Sequence, residues 1–262
     1  MGQGQTVDDT APAPAAARVS VVMPAYNAAA TLVASMRSVL AQTHGEVELL
    51  VIDDCSTDAT WELAREAAIH DPRVRPIRAQ ANGGVAAARN AGIEAATGSH
   101  VAFLDSDDRW HPQKLAIQLA AMAAQGAPVS YTAYERVSEQ GAVLSTVRPP
   151  ARVDHATMLK GNRIGNLTGM YSTGLGEMRF EKAGHEDYVF WLKLVRRAGL
   201  AICAGHPQPL AYYLVRAGSL SANKLRAAQW QWHIYREVEK IGPLASTWYF
   251  LNYAAGALGK RI

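Results

Sequence analysis

Only two cysteines, Cys55 and Cys203, occur in the 262 residues, and they stand far apart with no CxxC spacing. A disulfide framework and a cysteine-ligated zinc site are thereby excluded, and a reducing compartment fits. No window reaches the roughly 18 apolar residues needed to cross a bilayer. The aromatic C-terminal stretch is broken by polar residues and glycines, which excludes spanning but leaves docking on a membrane surface open. Charge of one sign is also lacking: 26 Lys and Arg against 23 Asp and Glu leave a formal +3, too little to make nucleic acid an expected partner. Residues 1–17, with "TAPAPAAA", have neither an early basic residue nor an apolar h-region, so a loose, disordered tail is expected there and not a secretory signal.

What is present is 49% hydrophobic residues in a chain long enough for one large α/β domain or two small ones. "VSVVMP" (19–24) and "VELLVID" (47–53) are short apolar runs ending at Pro or Asp and read as buried strands. Between them Leu32, Met36, Val39 and Leu40 recur at helical spacing, and Ser56 or Thr57 is expected to cap a second helix running to about His70. "RVRPI" (73–77) contains Pro76 and belongs at a sheet edge. "NGGVAAARNAGIEAATG" (82–98) reads as a glycine turn, an alanine-rich helix and a glycine stop, delivering the chain to a strand over 100–104. Four strand-helix units of a mainly parallel, helix-covered sheet are thus expected before residue 105.

In such sheets ligands gather beyond the carboxyl ends of the strands. Three polar tips meet there: Pro24-Ala25-Tyr26-Asn27, Asp53-Asp54, and the carboxylates Asp105, Asp107 and Asp108 of "VAFLDSDDRW". At an effective dielectric of about 20, two like charges roughly 4 Å apart repel by about 4 kcal/mol, so this rim needs a cation or raised pKa values. A divalent metal is the economical answer. Mg²⁺ or Mn²⁺ takes hard oxygen donors and binds through one or two carboxylates plus substrate phosphates, which implies a phosphorylated ligand.

"VSVVMPAYNAAATL", "VELLVIDDCSTDAT", "NGGVAAARNAGIEAATGSHVAFLDSDD" and "GHEDYVFWLKL" together resemble the family 2 glycosyltransferases, inverting enzymes with the GT-A fold, a Rossmann-like mixed sheet flanked by helices. The likeness is close over Val19 to about Trp110 and looser beyond. It implies that Pro24, Ala25 and Tyr26, with Asp53 or Asp54, hold the base of a UDP-sugar. Asn82, Gly83 and Arg89 follow on the glycine turn and helix, with Arg89 meeting a phosphate or pairing with a rim carboxylate. By the same likeness Asp105 and Ser106 contact the nucleotide and Asp107 binds the Mn²⁺ or Mg²⁺ that bridges to the diphosphate. Asp108 is either a further ligand or the cap of a helix beginning near Pro112. Cys55 departs from the glycine of the family's "DDGSTD" form.

The resemblance further makes Asp187, beside Glu186 at the start of an apolar-faced helix, the general base that takes a proton from the acceptor hydroxyl. Capping of that helix is the alternative use of the pair. "PLAYYLVRAGSLSANK" (209–224) resembles bacterial polysaccharide members of the family and implies that Arg216, Ser219 and Ser221 approach the diphosphate from the side opposite Asp107. "KGNRIGNLTGMY" and "NKLRAAQWQW" are similar to O-antigen and teichuronic-acid type transferases, which implies a polyprenyl-diphosphate-linked or other glycan acceptor. A cytoplasmic enzyme is then expected, peripheral on the inner face of the cell membrane.

The expected layout is a catalytic GT-A domain over residues 18–220 and C-terminal helices over 221–262, parted at Gly242-Pro243. Their aromatics Trp230, Trp232, Tyr235, Trp248, Tyr249, Phe250 and Tyr253 face a membrane, the acceptor, the catalytic domain or a second subunit. Two alternatives remain. A haloacid-dehalogenase-like phosphatase would use Asp105 as nucleophile, but Arg109 stands where it wants Thr or Val, and Asp53-Asp54 would be unexplained. A non-catalytic nucleotide-sugar binder would not need Glu186-Asp187. A calcium module fails because neither acidic loop has glycine at loop position 6 with glutamate at 12.

Overall fold

The computed structural model of the chain describes residues 17–182, 184–216 and 224–259. The expected tail lies outside these residues apart from Ala17, as does the expected domain limit at residue 220.

Strands β1 (Val19–Ala25) and β2 (Val47–Asp53) are buried at every position, which is why they read as unbroken apolar runs without alternation. With α1 (Leu32–Leu40), α2 (Thr60–His70), β3 (Val74–Arg78), α3 (Val85–Ala95) and β4 (His100–Phe103) they form three complete strand-helix units and a fourth strand, one helix fewer than expected. The second helix also starts later than the sequence suggests. Ser56 Oγ accepts the N–H of Asn27 (3.0 Å), Thr60 Oγ1 that of Ala28 (2.7 Å) and Asp58 Oδ2 that of Ala29 (3.0 Å), so residues 56–60 cradle the turn after β1 before the helix begins.

Beyond β4 come β5 (Arg109–Trp110), α4 (Lys114–Gln125), β6 (Val129–Tyr131), β7 (Ala133–Val137), β8 (Val143–Val147), β9 (Arg152–Val153), α5 (His155–Leu159), β10 (Met170–Ser172), α6 (Glu186–Ala198), β11 (Ala201–Cys203) and β12 (Pro209–Leu214). The C-terminal part holds α7 (Lys224–His233), a π-helical turn (Ile234–Val238) and α8 (Pro243–Gly259).

Eight strands run in the order β3-β2-β1-β4-β10-β6-β11-β9, with the first four parallel and β10 antiparallel to both of its neighbours. Pro76 sits on the edge strand, where its missing N–H leaves no ladder bond unmade. A second sheet, β5-β12-β7-β8, takes the chain immediately after the aspartates of β4 and again after β6, so it stands over the ligand end of the first. Gly92 lets α3 lie against β1: a Cβ there would meet Val22 Cγ1 at 2.3 Å.

At the opposite end of the parallel strands Glu48 is fully buried. Its Oε1 accepts from Ser20 Oγ (2.6 Å), Thr97 N (2.7 Å) and Thr97 Oγ1 (2.8 Å), while Oε2 pairs with Arg75 of β3. One carboxylate therefore pins β1, β2, β3 and the turn into β4 in a single register. Burial by itself would raise this group, but the hydrogen bonds from Ser20, Thr97 and Arg75 outweigh it and hold the carboxyl at about 2, against an ordinary 4.5. A lowered folded-state pKa gives stability that is complete above the unfolded value and lost as pH falls toward the folded one. The melting temperature is therefore expected to drop as pH falls through the window from 4.5 to about 2. Glu48→Gln should cost roughly 3 kcal/mol at neutral pH and flatten that acid limb, as read by thermal denaturation across the window.

Candidate functional site

β1 and β2 end side by side, with Pro24 opposite Ile52 and Ala25 opposite Asp53. Tyr26 projects from this rim and is 53% exposed, a large ring left to solvent beside buried backbone. Asp53 is buried; its Oδ1 accepts from Ser56 N (3.2 Å), while Oδ2 has no hydrogen-bond partner and faces Arg78 Nε at 3.3 Å. Asp54, the second carboxylate expected near the base, is engaged within the protein. Its two oxygens accept the N–H groups of Gly83 and Gly84 (2.8 Å each), and its carbonyl accepts from Asn82 Nδ2 (3.0 Å). The carboxylate thus caps α3 from another strand, and Gly84, at φ +81°, makes the turn that presents these donors.

Cys55 adopts φ +61°, the left-handed region, which accounts for the glycine of the related "DDGSTD" form; its thiol donates to Ala79 O (3.1 Å). A side chain costs about 1 kcal/mol in this conformation, more if β-branched. Cys55→Gly is therefore expected to raise stability by roughly 0.5–1 kcal/mol and Cys55→Val to lower it, a pair of opposite signs measurable by denaturant unfolding.

The three aspartates after β4 each have a different partner. Asp105 Oδ1 receives Arg89 Nη2 at 2.7 Å, and Arg89, reaching out of α3, is 6% exposed and lies 5.2 Å over the Phe180 ring. Burial opposes the guanidinium's charge, but Asp105, Asp187 and Glu186 outweigh it and push its pKa up. Of the two expected uses of Arg89, the pairing with a rim carboxylate is the one the structure contains. Ser106 follows, partly buried. Asp107 is partly exposed, its Oδ2 3.5 Å from Arg216 Nη2; burial and Asp105 raise its carboxyl, against the pull of Arg216. Asp108 is 2% exposed, and its Oδ1 accepts Leu214 N at 2.9 Å. Burial, then Asp105 and Asp107, raise it well above the usual carboxylate range. It caps no helix: α4 begins at Lys114 without a side-chain cap, and Asp108 instead fastens β12 to the rim. Arg216 lies against Asp107 and Thr31 Oγ1, not across the site as expected. Ser219 and Ser221 lie outside the described residues.

Glu186 and Asp187 occupy the first turn of α6, which has no side-chain cap bond, so the capping alternative is not realised. Neither carboxylate has a hydrogen bond or ion pair among the described residues. Asp187 lines a cavity of about 510 Å³ together with Asp105, Asp108, Arg89, Tyr134 and Tyr213. The loop before it is held by the C-terminal part: Gly184, at φ +81°, lies under the Trp230 indole, and the His185 ring meets that indole edge-on at 4.9 Å.

The C-terminal aromatics divide between burial and solvent. Tyr235 is fully buried and donates to Leu159 O (2.5 Å), and Glu239 pairs with His155 (3.0 Å) and Arg196 (3.1 Å). Trp232 and Trp248 are exposed, with Leu244 and Leu251. No described helix is long and apolar enough to cross a membrane.

Among the described residues no three metal-binding side chains converge. The donor set nevertheless fits Mn²⁺ or Mg²⁺, which needs only one or two carboxylates when phosphate and water complete its shell, and Asp107 is the accessible hard-oxygen donor of the rim. Residues that the sequence reading missed are Tyr134, Arg148, Arg163, Asn166 and Tyr213, all lining the Asp187 cavity. They come from the second sheet and the loops beside it, where only the glycine and asparagine content of "KGNRIGNLTG" marks anything unusual.

A family model described as Glycosyl transferase family 2 matches residues 20–184. A Bacillus subtilis protein provisionally named as the teichuronic acid biosynthesis glycosyltransferase TuaG is 36% identical over 248 residues, 93% of this chain and 97% of its own length. The Escherichia coli UDP-Glc:alpha-D-GlcNAc-diphosphoundecaprenol beta-1,3-glucosyltransferase WfgD is 35% identical over 93% of this chain and 94% of its own. Among solved structures, Staphylococcus aureus TarS residues 1–349 in complex with UDP-GlcNAc superposes with a TM-score of 0.70 at 20% identity, covering 90% of this chain and 71% of that one. The Pyrobaculum calidifontis mannosyltransferase PcManGT, in complex with GDP-Man and Mn²⁺, gives 0.66 at 20% identity, over 97% and 79%. The latter two establish a shared GT-A fold. The match spans the aspartates of β4, so the phosphatase alternative, in which Asp105 would be a free nucleophile, is set aside.

Proposed function

Because the chain belongs to glycosyl transferase family 2, we propose that this glycosyltransferase moves glucose or galactose from a UDP-sugar to a lipid-diphosphate-linked sugar, with inversion, during surface polysaccharide synthesis. The observation that carries the reading is Asp187: a carboxylate with no partner of its own, in the same cavity as the Arg89–Asp105 pair. The names of the similar TuaG and WfgD proteins support the donor and acceptor classes.

In this reading Pro24, Ala25 and Tyr26 flank the uracil, and the Asp53 carboxylate accepts its imide N–H. Asp54 and Gly83 set the glycine turn, while Asp105 and Ser106 contact the ribose side of the nucleotide. Asp107 would hold Mn²⁺ or Mg²⁺, which when bound neutralises charge on the departing nucleoside diphosphate. Arg216 adds a second positive charge there. Asp187 accepts the proton of the attacking hydroxyl, with Glu186 beside it in the first turn of α6. Residues 18–220 make up the catalytic unit in this proposal. The C-terminal helices over 221–262 steady the Asp187 loop through Trp230, and the exposed Leu244, Trp248 and Leu251 suit the lipid surface such an acceptor requires.

The test is nucleotide release from a panel of nucleotide sugars with a lipid-diphosphate-sugar acceptor. UDP-glucose or UDP-galactose should be consumed only with Mn²⁺ or Mg²⁺ present. Asp187→Asn should lose about 10²- to 10⁴-fold in turnover while still binding UDP. Undiminished turnover by the variant, or equal turnover in excess chelator, contradicts the reading.

A further inference from the structure

The Asp187 cavity contains a set of polar groups that the donor reading does not use. Arg148 and Arg163 both line it, together with Asn166. Neither guanidinium has a carboxylate or carbonyl partner among the described residues, and Arg163 Nε is a buried donor with no acceptor. Asn166 is 7% exposed; its Oδ1 accepts from Trp191 Nε1 (3.2 Å), which leaves the buried Nδ2 as its free end, also without an acceptor. Buried donors without acceptors are rare in folded proteins and mark places where a ligand completes the hydrogen bonding.

The charges point the same way. Arg89 is cancelled by Asp105, and Asp108 is taken up by the Leu214 N–H. The charged side chains lining the cavity that have no partner among the described residues are then Asp187 and the two guanidiniums. Of the residues assigned to the donor nucleotide, Asp105 reaches this cavity, whereas Tyr26, Asp53, Asp107 and Arg216 do not line it. Guanidinium groups bind phosphate oxygens through paired N–H donors, a geometry that an ammonium does not reproduce.

We propose that Arg148, Arg163 and Asn166 form a phosphate subsite for the acceptor, gripping the diphosphate that joins the acceptor sugar to its lipid. This rests on the reading of the chain as a transferase onto a diphosphate-linked sugar, and it adds the residues that recognise that linkage. The cavity, about 510 Å³, is within the size range of small-molecule sites and admits a hexose beside its phosphate. With the diphosphate fixed by these donors, the sugar hydroxyl is presented to Asp187 in the same cavity. Neutral glycosides would leave the buried Arg163 Nε and Asn166 Nδ2 donors unpaired, so the subsite rejects them as well as binding the diphosphate.

A diphosphate belongs to the donor as well as to the acceptor, and the experiment separates the two sources. The full-length protein is assayed with UDP-glucose and either N-acetylglucosaminyl-diphospho-undecane or N-acetylglucosaminyl-undecane, which differ only in the diphosphate. The wild type should favour the diphosphate acceptor by about 10²-fold or more in kcat/KM. Arg148→Ala and Arg163→Ala should each raise the acceptor KM roughly 10-fold, and the double variant should abolish most of the preference while the KM for UDP-glucose stays within about twofold. Arg148 is on the surface, so its variant serves even if Arg163→Ala does not fold, and Arg148→Lys should recover only part of the preference.

A double variant that keeps the preference overturns the subsite, as does a rise in the UDP-glucose KM in place of the acceptor's. Equal use of both acceptors by the wild type overturns the subsite and leaves the transferase reading standing. Use of neither overturns the acceptor reading and the subsite with it.

Discussion

Arg89 is the buried cation about which the carboxylates of the site are arranged. Three aspartates within four positions at the end of β4 cannot all stay bare in a partly desolvated rim, and the fold gives each a separate solution. Asp105 takes the guanidinium, Asp107 remains accessible with Arg216 at its side, and Asp108 withdraws to hold the Leu214 N–H. The same guanidinium feels Asp187 and Glu186 from α6. Elements distant in sequence are thereby tied electrostatically to one point.

That arrangement depends on strands held in register far from it. Glu48 pins the other end of the parallel sheet, so the tips carrying Tyr26, Asp53 and Asp105 emerge at fixed offsets. Asp54 then borrows two N–H groups from the glycine turn and sets the start of α3, which delivers Arg89. Asp108 does the same for β12, which brings Arg216 to Asp107. Two of the acidic residues in the motifs thus build the site, leaving others exposed enough to act in it.

The strand-helix alternation up to β4 was legible because buried parallel strands announce themselves as short apolar runs and the glycine turn has no other use. Candidate residues at those tips were legible for the same reason. The specific partners were not, since whether an aspartate meets a guanidinium, a backbone N–H or solvent depends on elements as remote as Leu214 from Asp108. Lys114 shows the limit from the other side: nothing in the sequence marks it out, yet it is wholly buried over the Trp110 ring and bonded to Gln118. The second sheet went unread because its strands are short and, in β8, largely exposed, so no periodicity marks them. Its contribution of Tyr134, Arg148 and Tyr213 to the cavity was hidden with it.

The proposed division of labour places the leaving group on the Asp107 side and the attacking hydroxyl on the Asp187 side of one anomeric carbon. Displacement from opposite sides in a single step inverts that carbon. The most direct test is the anomeric configuration of the sugar newly attached from an α-linked UDP-sugar, read from the proton coupling at that carbon in the isolated product. A β-linkage is the result this account predicts; an α-linkage would contradict it.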